Sequence, residues 1–204
     1  MLDCNLLGTK FESTGNFRDR DFDSLLPPTL RKLSRVQWTP ADVAMRAATF
    51  LANDQNAKVL DVGSGAGKFC VIAGLTTSGK FVGIEQRPRL WRTACAMAKK
   101  LKVSNVHFRL GNMMDIDWTE FNGIYLFNPF YEHREKSVQI DKTLNYKNSN
   151  FIKYVQYVQM SLGTLKRGTR VAIYNGFGGS MPTGYKHVKR EVTKRSALDY
   201  WVRE

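Results

Sequence analysis

The sequence predicts an α/β protein built on a doubly wound, mostly parallel sheet that ends in an antiparallel C-terminal hairpin strand. Three observations carry this. From Lys58 onward, short apolar β-rich runs alternate with helical stretches, the pattern of βαβ units whose sheet is buried on both faces. A turn with three glycines, Gly63-Ser-Gly-Ala-Gly67, directly follows the first of these runs and opens a helix. The last two strand-like runs, 185–192 and 197–202, are separated only by Thr193-Lys-Arg-Ser196, too short for a crossover helix, so they pair as a hairpin.

The elements follow in order. Residues 1–36 are polar and charge-mixed, broken by Pro27-Pro28, and are expected to form an N-terminal extension with a short helix over 29–34. The domain proper is expected to span 37–204. Thr39-Pro40 supplies an N-cap and a first-turn proline. Val43, Ala44, Ala47, Ala48 and Leu51 then share one face of a helix over 41–51. Strands are expected at 58–62, 80–84, 106–110, 124–127 and 170–174. Helices are expected at 67–75, 89–101 and 148–165. Right-handed crossovers between such strands wind helices onto both faces.

Composition bounds the function. The chain has 204 residues, 43% of them hydrophobic and 24% charged, enough for one domain with its own core. No apolar run reaches the roughly 18–20 residues of a membrane span. The first residues lack the basic and apolar segments of a secretory signal. A cytoplasmic protein is therefore expected, with Cys4, Cys70 and Cys95 as reduced thiols and the last two as small hydrophobes in helices. His107, His133 and His187 lie far apart, so no metal site is expected. The net charge of +13 and pI near 9.8 favour nucleic acid or acidic partners. The same charge is also compatible with a merely solvated positive face.

The chemistry concentrates at strand ends. Gly63, Gly65 and Gly67 let a ligand approach backbone with no Cβ in the way, although a tight strand-to-helix turn needs them too. Glu85 ends the second strand, where a carboxylate can hold a ribose diol through two hydrogen bonds; a solvated strand-end acid is the plainer reading. The dinucleotide spacing G-x-G-x-x-G is absent, because Gly67 comes one residue early. A phosphate loop is excluded because Phe69, not Ser or Thr, follows Lys68. Asp61 inside the first strand disfavours a pyrophosphate through like-charge repulsion and suits a ligand carrying an amine and a sulfonium.

Asp61-Val-Gly-Ser-Gly-Ala-Gly67 together with Glu85 resembles the signature of class I S-adenosylmethionine-dependent methyltransferases, and the resemblance runs over 37–204. It implies a Rossmann-like methyltransferase sheet with S-adenosyl-L-methionine as cofactor. Gly63, Ser64 and Gly65 would line the methionine end, Asp61 would reach the amine, and Glu85 would take the ribose hydroxyls. In Gly111-Asn-Met-Met-Asp115, Asn112 or Met113 would flank adenine; core packing is the alternative for the methionines. Val36-Gln-Trp-Thr-Pro-Ala-Asp42 resembles the threonine-proline element of nitrogen methyltransferases. Thr39 would there meet the cofactor, act as an N-cap, or do both.

Tyr125-Leu-Phe-Asn-Pro-Phe-Tyr-Glu-His133 closes the fourth strand. It resembles the [D/N/S]-P-P-[Y/F/W] motif of amino-group methyltransferases, with Asn128, Pro129 and Tyr131 matching and Phe130 in place of the second proline. The likeness assigns Asn128, Pro129 and Tyr131 to catalysis, with Asn128 also beside the cofactor, and Phe130 or Tyr131 as a stacking face. An Asn-Pro turn that merely ends a strand is the plainer reading. Glu132 is open between handling a substrate amine and being a solvated acid. Gly176, Gly178 and Gly179 around Phe177 are open between a loop closing on substrate and a simple connection. Residues 131–150 would form a substrate loop whose Arg134, Lys136, Lys142 and Lys147 meet phosphate.

The expected function is methyl transfer to nitrogen of a macromolecule, RNA or protein, by a monomer or a dimer. A catalytically inactive protein of the same fold, holding nucleic acid through its basic surface, is the alternative. A nicotinamide oxidoreductase is disfavoured by the glycine spacing.

Overall fold

The computed structural model describes residues 17–192 and 196–204; Cys4, the first sixteen positions of the expected extension and positions 193–195 of the hairpin turn lie outside these. Strands β1 (Lys58–Val62), β2 (Lys80–Glu85), β3 (Val106–Leu110), β4 (Gly123–Phe127) and β5 (Arg170–Tyr174) pair in parallel. Strand β7 (Ala197–Arg203) lies antiparallel to β5, and β6 (Tyr185–Val192) antiparallel to β7. The sheet order is β3-β2-β1-β4-β5-β7-β6. The doubly wound α/β sheet with an antiparallel C-terminal hairpin is therefore the observed fold. Each parallel strand falls within a residue of its expected position, and β2 runs on to include Glu85.

Period-two alternation along the strands builds two cores. Val59, Phe81, Tyr125, Ala172 and Tyr174 face one core, shared with helices α4 (Ala41–Leu51), α5 (Lys68–Thr76) and α6 (Pro88–Lys100). Leu60, Val62, Val82, Ile84, Ile124, Leu126, Val171 and Ile173 face the other, covered by helix α7 (Asn148–Thr164) and two 3-10 turns at Met113–Asp115 and Trp118–Glu120. Cys70 is buried and Cys95 half-buried, both as free thiols. Among the described residues no helix is long and apolar enough to cross a membrane.

Residues 17–37 belong to the first core. Helices α1 (Asp19–Asp23), α2 (Pro28–Arg31) and α3 (Ser34–Gln37) bring Phe22, Leu26 and Leu30 into it. The single short helix expected over 29–34 is thus two separate turns, the first opened by Pro28. The expected boundary at 36/37 is a shift in sequence composition, not a break in packing. Lys68, at the start of α5, is 2% exposed, and its ammonium lies 2.8 Å from Asp19, 3.0 Å from Asp23 and 3.1 Å from Ser34 Oγ. This buried cation fastens the segment to the glycine turn.

Thr39 is not the N-cap of α4. Pro40 occupies that position without a side-chain bond, and the Asp19 carboxylate accepts from Ala41 N–H at 2.8 Å instead. The capping oxygen comes from the N-terminal segment, leaving the Thr39 hydroxyl to meet Tyr125 Oη at 2.9 Å inside the core.

Strand β1 has β2 on one side and β4 on the other. Strand order reverses there, and in open α/β sheets a crevice opens beyond the strand ends at such a point.

Candidate active site

The turn after β1 is shaped by backbone that side chains would disrupt. Gly63 and Ser64 donate to the Ile84 carbonyl at 3.1 and 2.9 Å, folding the turn over the end of β2. Gly65 has φ +56°, and a Cβ there would sit 2.5 Å from the Trp38 ring; Gly67 has φ +81°, with Phe108 and Ala94 within 2.8 Å of an added Cβ. Both positions require glycine for backbone conformation and for room.

Gly65 N–H donates to Glu85 Oε2 at 2.9 Å, and Arg87 N–H to Glu85 Oε1 at 2.8 Å. Glu85 is 4% exposed. Burial pushes its carboxyl pKa up, while the Arg87 guanidinium and the two amides pull the other way. Arg87 Nη1 is a third donor, 3.4 Å from Oε1, so of the roughly four hydrogen bonds a carboxylate can accept about one remains for the cleft that Glu85 lines.

That cleft has a volume of about 260 Å³ and lies beyond the ends of β1, β2 and β4. Gly63, Gly65, Glu85, Met113, Asn128, Pro129 and Tyr131 line it, so the structure brings these expected residues together. Asp61, Ser64, Thr39 and Asn112 are not in its lining. Among the described residues Ser64 Oγ is buried without a hydrogen-bond partner, against Gly83 of β2, where a Cβ would lie 2.7 Å from it. The Asn112 side chain caps the following 3-10 turn through Met114 N–H, and its amide donates to Gln86 and Tyr154 at 3.1 Å. Asp61 lies behind the glycine turn, where Cys70 Sγ donates to it at 3.4 Å. Burial pushes the Asp61 carboxyl up to about 7, Cys70 opposes this, and Glu85 adds to it.

Asn128 ends β4 in a left-handed conformation, φ +37°, with its N–H bonded to the Gly176 carbonyl at 3.0 Å. Among the described residues its side-chain amide has no hydrogen-bond partner. A left-handed asparagine is among the less costly non-glycine choices, and here it turns the chain at the cleft. Phe130 is 5% exposed and packs on Tyr154 with ring centroids 5.3 Å apart, whereas Tyr131 is 43% exposed. Both rings line the cleft, Phe130 fixed by its packing and Tyr131 the more exposed.

Arg87, Tyr146 and Trp38 also line the cleft and were not anticipated from sequence. Arg87 Nη2 lies 2.8 Å from both Glu132 oxygens and 2.8 Å from Tyr146 Oη. Its Nη1 reaches Glu85 at 3.4 Å, and its Nε is 3.6 Å from Asp141. Burial works against its charge, but Glu132 and Glu85 hold the guanidinium above its ordinary value. Glu132 also accepts from Ile140 N–H at 2.8 Å and Tyr146 Oη at 3.1 Å. It is therefore neither a solvated acid nor a spare base, but a tether for residues 131–147, which fold back over the cleft. Tyr146 is 59 residues from Arg87 in sequence, which is why spacing gave no hint; an arginine two places after a strand-ending acid was the only local cue.

Two further expectations resolve geometrically. Phe177 is buried in the second core, and Cβ atoms at Gly178 and Gly179 would collide with Phe151 and Val155. Residues 176–179 do not line the cleft, so the segment is a packed connection. Arg134 lies over the Phe151 ring, 5.2 Å from its centroid, rather than pointing from a free loop.

Comparison with known proteins adds the family. A family model described as a methyltransferase domain matches residues 53–166, more than half of the chain. No curated protein sequence matches. Among solved structures, an RNA methyltransferase from Salinibacter ruber in complex with S-adenosyl-L-homocysteine shares 22% identity and a TM-score of 0.60, covering 81% of this chain and 92% of its own. TrmN from Thermus thermophilus shares 17% identity and a TM-score of 0.61 over 85% of this chain and 51% of its own. Magnesium protoporphyrin IX methyltransferase from Synechocystis PCC 6803, with bound SAM, shares 12% identity and a TM-score of 0.60 over 100% of this chain and 98% of its own. At these identities the neighbours establish the fold, and the family model adds what the fold alone does not: this chain belongs to the methyltransferase domain family.

Proposed function

We propose that the protein uses S-adenosylmethionine to methylate a nitrogen atom of a macromolecular acceptor, with RNA favoured over protein. The observation that carries the reading is Glu85, a buried carboxylate at the end of β2 that lines the cleft with acceptor capacity unspent. The turn beside it offers backbone at Gly63 and Gly65 without side chains. These are features a cationic nucleoside needs, so the residues present fit the cofactor.

When bound, S-adenosylmethionine supplies a methyl group made electrophilic by a positively charged sulfur. Glu85 would take a ribose hydroxyl with the acceptor site that remains to it. Met113 offers an apolar wall for a purine, and Gly63 and Gly65 admit the amino-acid end. Asp61 stands behind the turn, bonded by Cys70, and Ser64 and Thr39 support the turn and strand rather than touch a ligand. Asn112 holds the turn that presents Met113.

Asn128 lines the cleft with its side-chain amide unpaired among the described residues, and its carbonyl oxygen suits a nitrogen that gains positive charge as its bond to carbon forms. Pro129 sets the backbone that follows, and Tyr131 offers an exposed ring for stacking. Alignment of nucleophile and methyl carbon is the principal work of such a site. The carboxylates Glu85, Glu132 and Asp141 pair with Arg87 alone among the described residues and leave an excess of negative charge in that cluster beside the cleft, which favours a cation and repels phosphate. The net charge of +13 and the Salinibacter ruber RNA methyltransferase among the structural neighbours support RNA as the acceptor.

A tritiated-methyl transfer assay tests this, using lysates from cells lacking the protein. Label that resists protease and is removed by ribonuclease is expected. Label removed by protease alone would make protein the acceptor, and no transfer to either, with the cofactor bound, would overturn the reading.

A further inference from the structure

We infer that the exposed face of α6, continued by α2 and α3, is the surface on which an RNA strand lies as it enters the cleft. The inference rests on the RNA reading above and adds where the phosphates are held.

Lys32, Arg35, Arg89, Arg92, Lys99 and Lys100 are all exposed, and none makes an ion pair among the described residues. Arg89, Arg92, Lys99 and Lys100 recur at helical spacing, so they share one stripe of α6. Arg89 donates to Thr29 Oγ1 at 2.6 Å, which sets the start of that stripe beside α2. Arg35 directly precedes Val36 and Gln37, both in the cleft lining. The track of charge therefore begins at the rim of the cleft and runs away from it along α6.

Local physics does not account for this arrangement. Cations at a helix N-terminus oppose the macrodipole, whereas those in the last turn complement it. Lys99 and Lys100 obey the rule. Arg89 breaks it, in a first turn that has no acidic residue, and Arg92 adds a like charge three residues on. Residues that violate a local rule without internal compensation are expected where function demands them. The opposite sheet edge behaves differently: on the hairpin, Lys189 pairs with Glu191 at 2.6 Å and Arg190 approaches Asp199 at 3.8 Å. Basic charge is thus partly paired on the hairpin, where Lys186 stays exposed without an ion pair among the described residues, and wholly unpaired along α6.

The cleft itself repels phosphate, because three carboxylates surround Arg87. A polyanion bearing the acceptor must keep its backbone outside while one base or end reaches in. On the α6 side unpaired cations meet the rim at Arg35, as Lys136, Lys142 and Lys147 do on the segment opposite, and Val36, 60% exposed beside Arg35, gives an apolar contact for a base.

The test is fluorescence anisotropy with a labelled, mixed-sequence single-stranded RNA across a salt series. The variant Arg92→Glu/Lys99→Glu/Lys100→Glu is compared with the charge-matched Lys186→Glu/Lys189→Glu/Arg190→Glu on the far edge. Single-stranded binding loses about 0.7 in log–log salt slope per phosphate contact removed, so the α6 variant is expected to lose about 2, and affinity more than tenfold. The hairpin variant is expected to keep the slope. Unchanged binding of S-adenosylhomocysteine by both variants shows that they are folded. Equal loss in both variants, or none in the α6 variant, overturns the placement while leaving RNA binding intact. A wild-type protein that binds polyglutamate but not RNA overturns the RNA reading itself.

Discussion

Arg87 and Glu132 meet in the lining of the cleft, with Nη2 of the arginine 2.8 Å from each carboxylate oxygen. One residue follows β2 and the other follows β4, so a single ion pair spans the switch point of the sheet. The same guanidinium touches Glu85 at 3.4 Å. The acid proposed to hold the cofactor and the segment folded over the site therefore share one cation.

Replacing Arg87 by Met leaves Glu85, Glu132 and Asp141 without their counter-charge. Breaking a buried pair by removing one partner costs about 3–5 kcal/mol, to be read from urea unfolding at neutral pH. Glu132→Gln keeps the shape and removes one charge, and is expected to cost about 1–3 kcal/mol while exposing residues 131–147 to protease. A loss below about 1 kcal/mol for Arg87→Met would mean that the network carries little of the fold.

Glu85→Ala and Asn128→Ala separate binding from transfer. Glu85→Ala removes charged acceptors, each worth about 1.5–3 kcal/mol, and S-adenosylhomocysteine affinity in a calorimeter is expected to fall by on the order of a hundredfold. Asn128→Ala is expected to keep that affinity within a few-fold and to lose about 10²–10³ in transfer rate. Equal loss of affinity in both would contradict the roles proposed for them.

Asp61 predicts a pH effect with a definite sign. Burial lifts its carboxyl from 3.8 to about 7, so the folded protein keeps a proton that the unfolded chain releases. The stability linked to this proton is complete below about pH 4 and is lost as pH rises through about 7. Roughly three pKa units correspond to on the order of 4 kcal/mol. Asp61→Asn is expected to flatten the stability profile between pH 4 and 7 relative to the wild type. An unchanged difference between the two proteins across that range would show that Asp61 does not titrate as its burial requires.

Lys68→Met tests the fastening of the N-terminal segment. It leaves Asp19, Asp23 and Ser34 without the ammonium they surround, and a cost of about 3 kcal/mol is expected. Hydrogen exchange should quicken over 17–38 before it does in the strands, with weaker S-adenosylhomocysteine binding, because Val36 and Trp38 wall the cleft. Uniform quickening across the sheet would mean that the segment is not a separate cooperative unit.

Much of the fold was legible because its signals are local. Alternating apolar strands, glycines at a strand-to-helix turn and a hairpin gap too short for a helix each depend on neighbours in sequence. That Glu85 and Asn128 would line the crevice was legible for the same reason, since residues at the carboxyl ends of parallel strands near the switch point border it. Side-chain roles were harder to read. Thr39 looked like a cap until Asp19, twenty-two residues from Ala41, took its place, and Glu132 stood open between a substrate role and a solvated acid until Arg87 arrived from forty-five residues away.

The chain by itself determined the order of its strands and helices, the glycine turn and the acid that ends β2, because backbone conformation and hydrophobic periodicity are set by adjacent residues. Only the tertiary structure decided that Lys68 and Arg87 are buried cations joining distant segments. A charge can leave water only when several opposite groups converge on it in space, and no spacing along the chain announces that convergence.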